Sequence, residues 1–351
     1  MAGARSQPIV LALEDLHWAD PTTIEVLRGI AERGALAPLL ILGTARPEFR
    51  APWGMRSHHA TISLAPLDRN QVRRMVAEVV ASRSLPLDVV DSVAARSGGV
   101  PLFVEEVTRL LLERGEQEGV HEIPPTLQQS LTARLDRLGS ARGVAQIGAV
   151  IGRDFSYEQI SAVAQMESSR LQEALDQLAD ADILLARGLP PEAIYRFKHS
   201  LIQDAAYENL LRSQRSVLHR RVAEALRDNA AIAALAEPEL LAHHFTQAGL
   251  TETAIEWWGK AGRRSLARSA LAEASVQFSR ALGQIATLPA TPALRRDEIK
   301  LQVALLIPLS YLKGFGAPET RAAVERARVL IEKAAALGEP PEDPLLLFSV
   351  L

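Results

Sequence analysis

The stretch Pro8-Ile9-Val10-Leu11-Ala12-Leu13-Glu14-Asp15-Leu16-His17-Trp18-Ala19-Asp20 decides how this 351-residue chain is read. Ile9–Leu13 is apolar and long enough to cross a sheet buried on both faces. Two acids follow at once, Glu14 and Asp15. A parallel strand ending this way delivers carboxylates to the carboxyl edge of its sheet, where open α/β folds bind ligands. Asp20-Pro21 then reads as a helix start, with Asp20 as N-cap and Pro21 at the first helical position.

Working outward, residues 21–33 have the spacing of an amphipathic helix closed by Gly34, and residues 38–44 read as a second buried strand. A short strand is expected at 61–64, and Asp68 with Gln71 forms a capping-box pair that opens a helix. Helices are expected at 68–81, 87–96, 101–113 and from Ile123 through Arg137, then at 141–151, 156–164 and 168–179. Residues 183–186 and 193–197 alternate as short strands around Gly188-Leu189-Pro190-Pro191. Three helices and a two-stranded wing make a winged helix. From 212 onward only helices are expected, at 216–228, 239–248, 254–268, 271–285, 293–312 and 317–337. The pair 254–285, with small residues Ala254, Ala261, Ala267, Ala274 and Ala281, fits one tetratricopeptide repeat. The apolar end PLLLFSVL suggests an array cut short, since terminal repeats usually carry a polar cap.

Composition narrows the function classes. The absence of cysteine excludes disulfides, cysteine nucleophiles and cysteine-ligated zinc. A net charge of −3 provides no global basic field for nucleic acid, and residues 172–182 carry four acids that would repel phosphate. DNA binding through the winged helix is therefore not expected. Adjacent His58 and His59 have no acid or thiol partners nearby in sequence, which argues against a metal there. No run reaches the roughly 18 apolar residues of a membrane span, and no signal peptide opens the chain. A cytoplasmic, non-membrane protein is the expectation.

The wording LEDLHWADP closely resembles the Walker B segment of the STAND-class ATPase modules, a branch of the AAA+ relatives. These occur in bacterial signalling proteins, fused to class III adenylate or guanylate cyclase domains, kinases or helix-turn-helix regulators. The resemblance implies Glu14 near Mg²⁺ and Asp15 near the attacking water; the alternative is a strand tip whose acids cap the next loop. The segment Gly43-Thr44-Ala45-Arg46-Pro47-Glu48-Phe49 fits the sensor 1 strand tip of the family, which makes Arg46, then Thr44, the candidate reporter of the γ-phosphate. The alternative is an ordinary surface arginine. Gly99-Val100-Pro101, within GGVPLFVEEV, matches the GxP motif that packs near the adenine, but glycine in a turn and proline at a first helical turn also have a purely structural reading. Glu105 and Glu106 are read as structural first-turn acids. IPPTL with the following RLDRL resembles the junction into the family's winged helix. Phe197-Lys198-His199-Ser200-Leu201 resembles the signature after its wing, where a histidine contacts bound ADP in related proteins. His199 is that candidate, or else it caps the helix beginning near Ser200.

No GxxxxGK followed by Ser or Thr occurs in the 351 residues, and seven residues precede Pro8. A chain that represents the C-terminal part of a larger ATPase, or a product that starts late, is the expectation, with weak or absent binding of ATP, ADP and Mg²⁺. The fold expected is a partial α/β P-loop NTPase core with a parallel sheet (1–67), a helical lid (68–138), a winged helix (139–211) and tetratricopeptide-like repeats (212–351). The function expected is a nucleotide-dependent conformational switch acting on a cyclase or transcriptional output, with protein partners on the repeats. The alternative is a non-catalytic helical scaffold carrying a remnant ATPase half.

Overall fold

The computed structural model describes residues 7–33, 38–80, 85–114, 126–229 and 236–339. The chain is mostly helical, with two small sheets, and divides into two compact units. One holds Met1–Ile62, Glu237–His243 and Leu250–Leu351; the other holds Ser63–Ala236 and His244–Gly249.

In the first unit, β1 (Ile9–Leu13) pairs in parallel with β2 (Leu39–Gly43), in a register that sets Ile9 against Leu39 and Leu13 against Gly43. A 3₁₀ turn (Leu16–Trp18) and α1 (Pro21–Arg33) connect them. Asp20 caps α1 as its position suggests: its carboxylate accepts from the Thr23 N–H at 2.8 Å and the Thr23 hydroxyl at 2.6 Å. The strands are not buried on both faces, contrary to the sequence reading. Val10, Leu40 and Leu42 are 67%, 62% and 59% exposed. Burial on both faces needs a helical layer on each. Among the described residues of this α/β part the buried apolar side chains are Leu16 and Leu27, too few to make two layers.

The same unit contains α12 (Thr251–Ala267), α13 (Leu271–Ile285), α14 (Pro292–Lys313) and α15 (Pro318–Ala336), each packed chiefly on the next. Ala254, Ala261, Ala274 and Ala281 are buried between them and permit close approach, whereas Ala267, at the end of α12, is exposed and takes no part. Glu273, in the first turn of α13, reaches α1: its carboxylate accepts from the Thr22 N–H at 2.7 Å and the Thr22 hydroxyl at 2.6 Å. The N-terminus of α1 is thus capped twice, once locally and once from the helical array.

The second unit opens with α2 (Arg69–Val80), α3 (Leu87–Ser97) and α4 (Pro101–Arg114) around Val72, Val76, Val93, Phe103, Val104 and Val107. The Asp68–Gln71 pair forms in both directions, each backbone N–H donating to the other side chain at 2.9 Å. Then follow α5 (Leu127–Arg137), α6 (Ser140–Ile151), β3 (Asp154–Ser156), α7 (Tyr157–Ala164), α8 (Ser168–Asp180), β4 (Leu184–Arg187), β5 (Ile194–Phe197), α9 (Ser200–Glu208) and α10 (Arg212–Asp228). The sheet is antiparallel in the order β3-β5-β4, one strand more than the expected wing. Ser156 is accordingly not helical. It caps α7 in a reciprocal pair with Gln159. Residues 61–64 form no strand: they lie outside any ladder, with Ile62 79% and Leu64 92% exposed. An apolar alternation gives a strand only where a neighbour accepts its backbone bonds. The expected breaker at Gly34, the opening Ile123-Pro124-Pro125 and the apolar end PLLLFSVL lie outside the described residues. Pro238–Gln247 forms α11, and no helix of the described residues is long and apolar enough to cross a membrane.

Replacing Glu273 with Ala removes the second cap of α1 and is expected to cost about 1 kcal/mol of stability in urea unfolding. A double-mutant cycle with Thr22→Ala is expected to be non-additive, since both changes delete one interaction.

Candidate functional site

The parallel register does the first work of assembly. With Leu13 opposite Gly43, the residues that follow, Glu14-Asp15 and Thr44-Ala45-Arg46, leave the sheet at the same edge. Thr44 ties the two tips together. Its N–H donates to the Leu13 carbonyl at 2.9 Å, its carbonyl accepts from Leu16 N–H at 2.9 Å, and its Oγ1 accepts from Asp15 N–H at 3.0 Å. Asp15 sits in the left-handed region, φ 57° and ψ 47°, a conformation Asp tolerates better than most residues. That turn folds the chain so that Leu16 is buried against Gly43, where a Cβ would stand 2.7 Å from Leu16 Cδ1.

Arg46 lies exposed beside this tip. Its backbone N–H donates to His17 Nδ1 at 3.4 Å, and its guanidinium stands 5.3 Å over the Trp18 ring. Four of the seven expected site residues, Glu14, Asp15, Thr44 and Arg46, are therefore gathered at one strand edge.

Gly99, Pro101 and His199 lie in the second unit. Gly99 is held by backbone geometry. Its φ is +75°, its carbonyl accepts from Leu67 N–H at 2.7 Å, and a Cβ there would lie 2.2 Å from the Leu67 carbonyl oxygen. Pro101 opens α4, where no N–H is needed. Both residues satisfy the structural reading of their motif. His199 occupies the cap position of α9, but its ring makes no cap bond. The backbone carbonyl of His199 does the capping, accepting from Ile202 N–H at 3.1 Å. The ring is half-buried, and Nε2 is enclosed with no partner among the described residues. Burial pushes its pKa below the usual 6.5; Glu105 opposes this and Lys198 adds to it, so the ring is neutral at pH 7.

Around His199 the sequence reading missed a charge network. Lys198 Nζ stands 3.3 Å from Glu105 and 3.2 Å from Asp182, and Arg109 pairs with the same two acids at 3.0 and 2.5 Å. Below them Arg134 and Glu106, 6% and 3% exposed, form a buried pair at 2.5 Å, and Arg134 also donates to the Ala181 carbonyl. Glu105 and Glu106 are thus not first-turn acids. They stand one turn further into α4 and act as ion-pair partners. Burial pushes the Glu105 carboxyl up, but Lys198 and then Arg109 outweigh it and hold it below the usual range. Asp182 behaves the same way. The spacing Glu105–Arg109 was a legible signal. The pairings of Arg134 and Lys198, far apart in sequence from their partners, carried none. A second unanticipated feature is a buried chain in which the Tyr207 hydroxyl meets His219 Nε2 at 2.9 Å and His219 Nδ1 meets His244 Nδ1 at 2.8 Å. A hollow of about 300 Å³ is lined by Val79, Arg109, Leu112, Arg134, Asp180 and Ala181, and none of the expected site residues borders it.

No family model matches the chain. An uncharacterized protein of Rhizobium meliloti (strain 1021) is 34% identical over 307 residues, or 84% of this chain. The chain spans about 30% of the length of that relative. A solved structure from Pyrococcus horikoshii, a Signal Transduction ATPase with Numerous Domains (STAND) protein with a tetratricopeptide repeat sensor, superimposes with a TM-score of 0.44. The identity is 11%, over 99% of this chain and 52% of that one.

Removing Glu106 leaves the Arg134 charge buried without its carboxylate. Glu106→Ala is expected to cost about 3–5 kcal/mol, whereas Glu106→Leu with Arg134→Met is expected to recover most of it, both read from denaturant midpoints. For Glu105 and Asp182 the folded pKa values are depressed. Their stabilisation is complete above about pH 5 and is lost as pH falls below about 4. Lys198→Met is expected to flatten the acid limb of a stability–pH profile.

Proposed function

We propose that this chain is part of a regulatory, nucleotide-dependent signalling switch of the STAND type, with Mg²⁺ and ATP or ADP as its ligands and with an output carried by a cyclase or transcriptional partner. The observation that carries the reading is the strand edge at which Glu14, Asp15, Thr44 and Arg46 converge. Two carboxylates form a hard, oxygen donor pair suited to Mg²⁺. Among the described residues no cluster of three His, Cys, Asp or Glu side chains could hold a metal alone. Mg²⁺ does not need one, since it keeps several waters and takes one or two carboxylates plus phosphate oxygens. Bound there, the ion would neutralise charge on the phosphates.

In this reading Glu14 orients the metal's waters, Asp15 accepts a proton from the attacking water, and Arg46 reports the terminal phosphate. His199 offers its enclosed Nε2 to a phosphate of ADP. A neutral, buried imidazole gains a proton when an anion arrives beside it, because the anion favours the charged form.

The test is calorimetric titration with Mg·ATP and with ADP. Weak binding, with Kd above roughly 10 μM (about −7 kcal/mol), is expected, and a Glu14→Gln, Asp15→Asn double variant is expected to abolish the Mg·ATP signal. ADP binding is expected to take up a proton, seen as a heat that varies with buffer ionisation enthalpy, and His199→Ala is expected to remove that dependence. Identical titrations for the parent and the double variant would overturn the reading. One observation favours a protein-binding role for the helical array as well. Ile307, Tyr311, Leu312 and Phe315 are 49%, 77%, 49% and 83% exposed near the C-terminal end of α14.

A further inference from the structure

Two side chains next to the acid pair are not used by the proposed chemistry, and both touch Arg46. His17 Nδ1 accepts the Arg46 backbone N–H at 3.4 Å, while the Trp18 ring lies under the Arg46 guanidinium at 5.3 Å. The two rings brace each other, with centroids 4.8 Å apart. We propose that His17 and Trp18 are positioning residues that hold Arg46 from both ends, His17 fixing its backbone and Trp18 parking its guanidinium.

The geometry has chemical consequences. A ring nitrogen that accepts a hydrogen bond carries no proton, so His17 is the tautomer protonated at Nε2. Nε2 is itself enclosed, with no partner among the described residues, so the Arg46 contact is what sets the tautomer. A guanidinium over an indole face is held by the ring's quadrupole without losing its donors. All five N–H groups of Arg46 stay available, and a phosphate can draw them off the ring, because a charge-assisted bond is stronger than an exposed cation–π contact. Trp18 is 57% exposed, so this exchange takes place at the surface. The clamp also explains why the turn after the acids is tight. The left-handed Asp15 and the 3₁₀ turn Leu16–Trp18 are what bring both rings across to the second strand tip. The sensing role of Arg46 rests on the function proposed above; the clamp itself does not.

The experiment is amide exchange and indole N–H spectroscopy by NMR on the full chain, deuterated and ¹⁵N-labelled. Asn places its Oδ1 where His places Nδ1, whereas Gln places its oxygen where His places Nε2. H17A and H17Q are therefore expected to speed exchange at the Arg46 amide about tenfold, the loss of one hydrogen bond, while H17N keeps the parent rate. The amides of Leu16 and Thr44, which bond to backbone carbonyls, serve as the folding control and are expected to hold their rates. R46A is expected to shift the Trp18 indole resonance, identified by its loss in W18F, and R46K to shift it less. If H17A, H17N and H17Q exchange alike, or if Leu16 and Thr44 open together with Arg46, His17 is a structural residue and the proposal falls. If the Trp18 resonance ignores R46A, the parking contact does not exist. Addition of Mg·ATP separates the two ideas. A Trp18 resonance that moves to its R46A position supports both. Absent nucleotide binding with an intact H17N rescue sinks the functional reading and leaves the clamp standing, and nucleotide binding without the rescue does the reverse.

Discussion

A two-stranded parallel sheet has to finish its hydrogen-bond ladder somewhere, and in this chain Thr44 finishes it. Its N–H, carbonyl and hydroxyl bind Leu13, Leu16 and Asp15 in turn. The hydroxyl adds a bond to Asp15, whose backbone has turned into the left-handed region and out of the ladder. Together these two backbone bonds and one side-chain bond hold the acid pair and the turn that carries the two rings against the second strand tip. Thr44 is thus the tie between the two strand tips.

The second unit solves a different problem, that of burying charge. Arg134 is almost fully enclosed, which is tolerable because Glu106 takes one terminal nitrogen of its guanidinium and the Ala181 carbonyl takes the other, while Nε stays enclosed with no partner among the described residues. Above it, Glu105, Arg109, Asp182 and Lys198 alternate in sign, so each charge has an opposite neighbour. These pairs connect α4 and α5 to the end of α8 and the end of β5. His199 lies at the margin of this network and shares in none of its bonds.

Helical periodicity made most of the fold legible. Residues 21–33 and 271–285 are helical over the spans their spacing indicates, and the caps at Asp20 and Asp68 are where their sequences place them. Local signals of this kind depend on neighbours three and four residues away, which the sequence displays directly. The failures involve information that no local window contains. Whether Thr61 to Leu64 pairs depends on a partner strand, and whether Val10 is covered depends on a layer contributed from elsewhere. Ser156 was misassigned because Phe155 and its neighbours found a third place in the sheet beside β5. Glu14, Asp15, Thr44 and Arg46 were readable as strand-tip residues because they end two apolar runs. The partners of Arg134, the cap supplied by Glu273 and the contacts of His17 were not, because each spans a long stretch of sequence.

That same cap on α1 has a bearing on how the chain is made. Thr22 and Glu273 are 251 residues apart, one of the widest separations bridged by a side chain here. A ribosome adding about 5–20 residues per second needs on the order of ten seconds to a minute to synthesise that interval. Through this period the first strands and their helix are outside the ribosome with one of the two α1 caps in place. Closing so long a loop also carries an entropic cost that local helices do not have. The helical array can accrete in order as it emerges, each helix on the one before, whereas α1 must wait for a carboxylate from near the far end of the chain. The second cap of α1 is therefore a late contact, made only after the array that carries Glu273 has been synthesised.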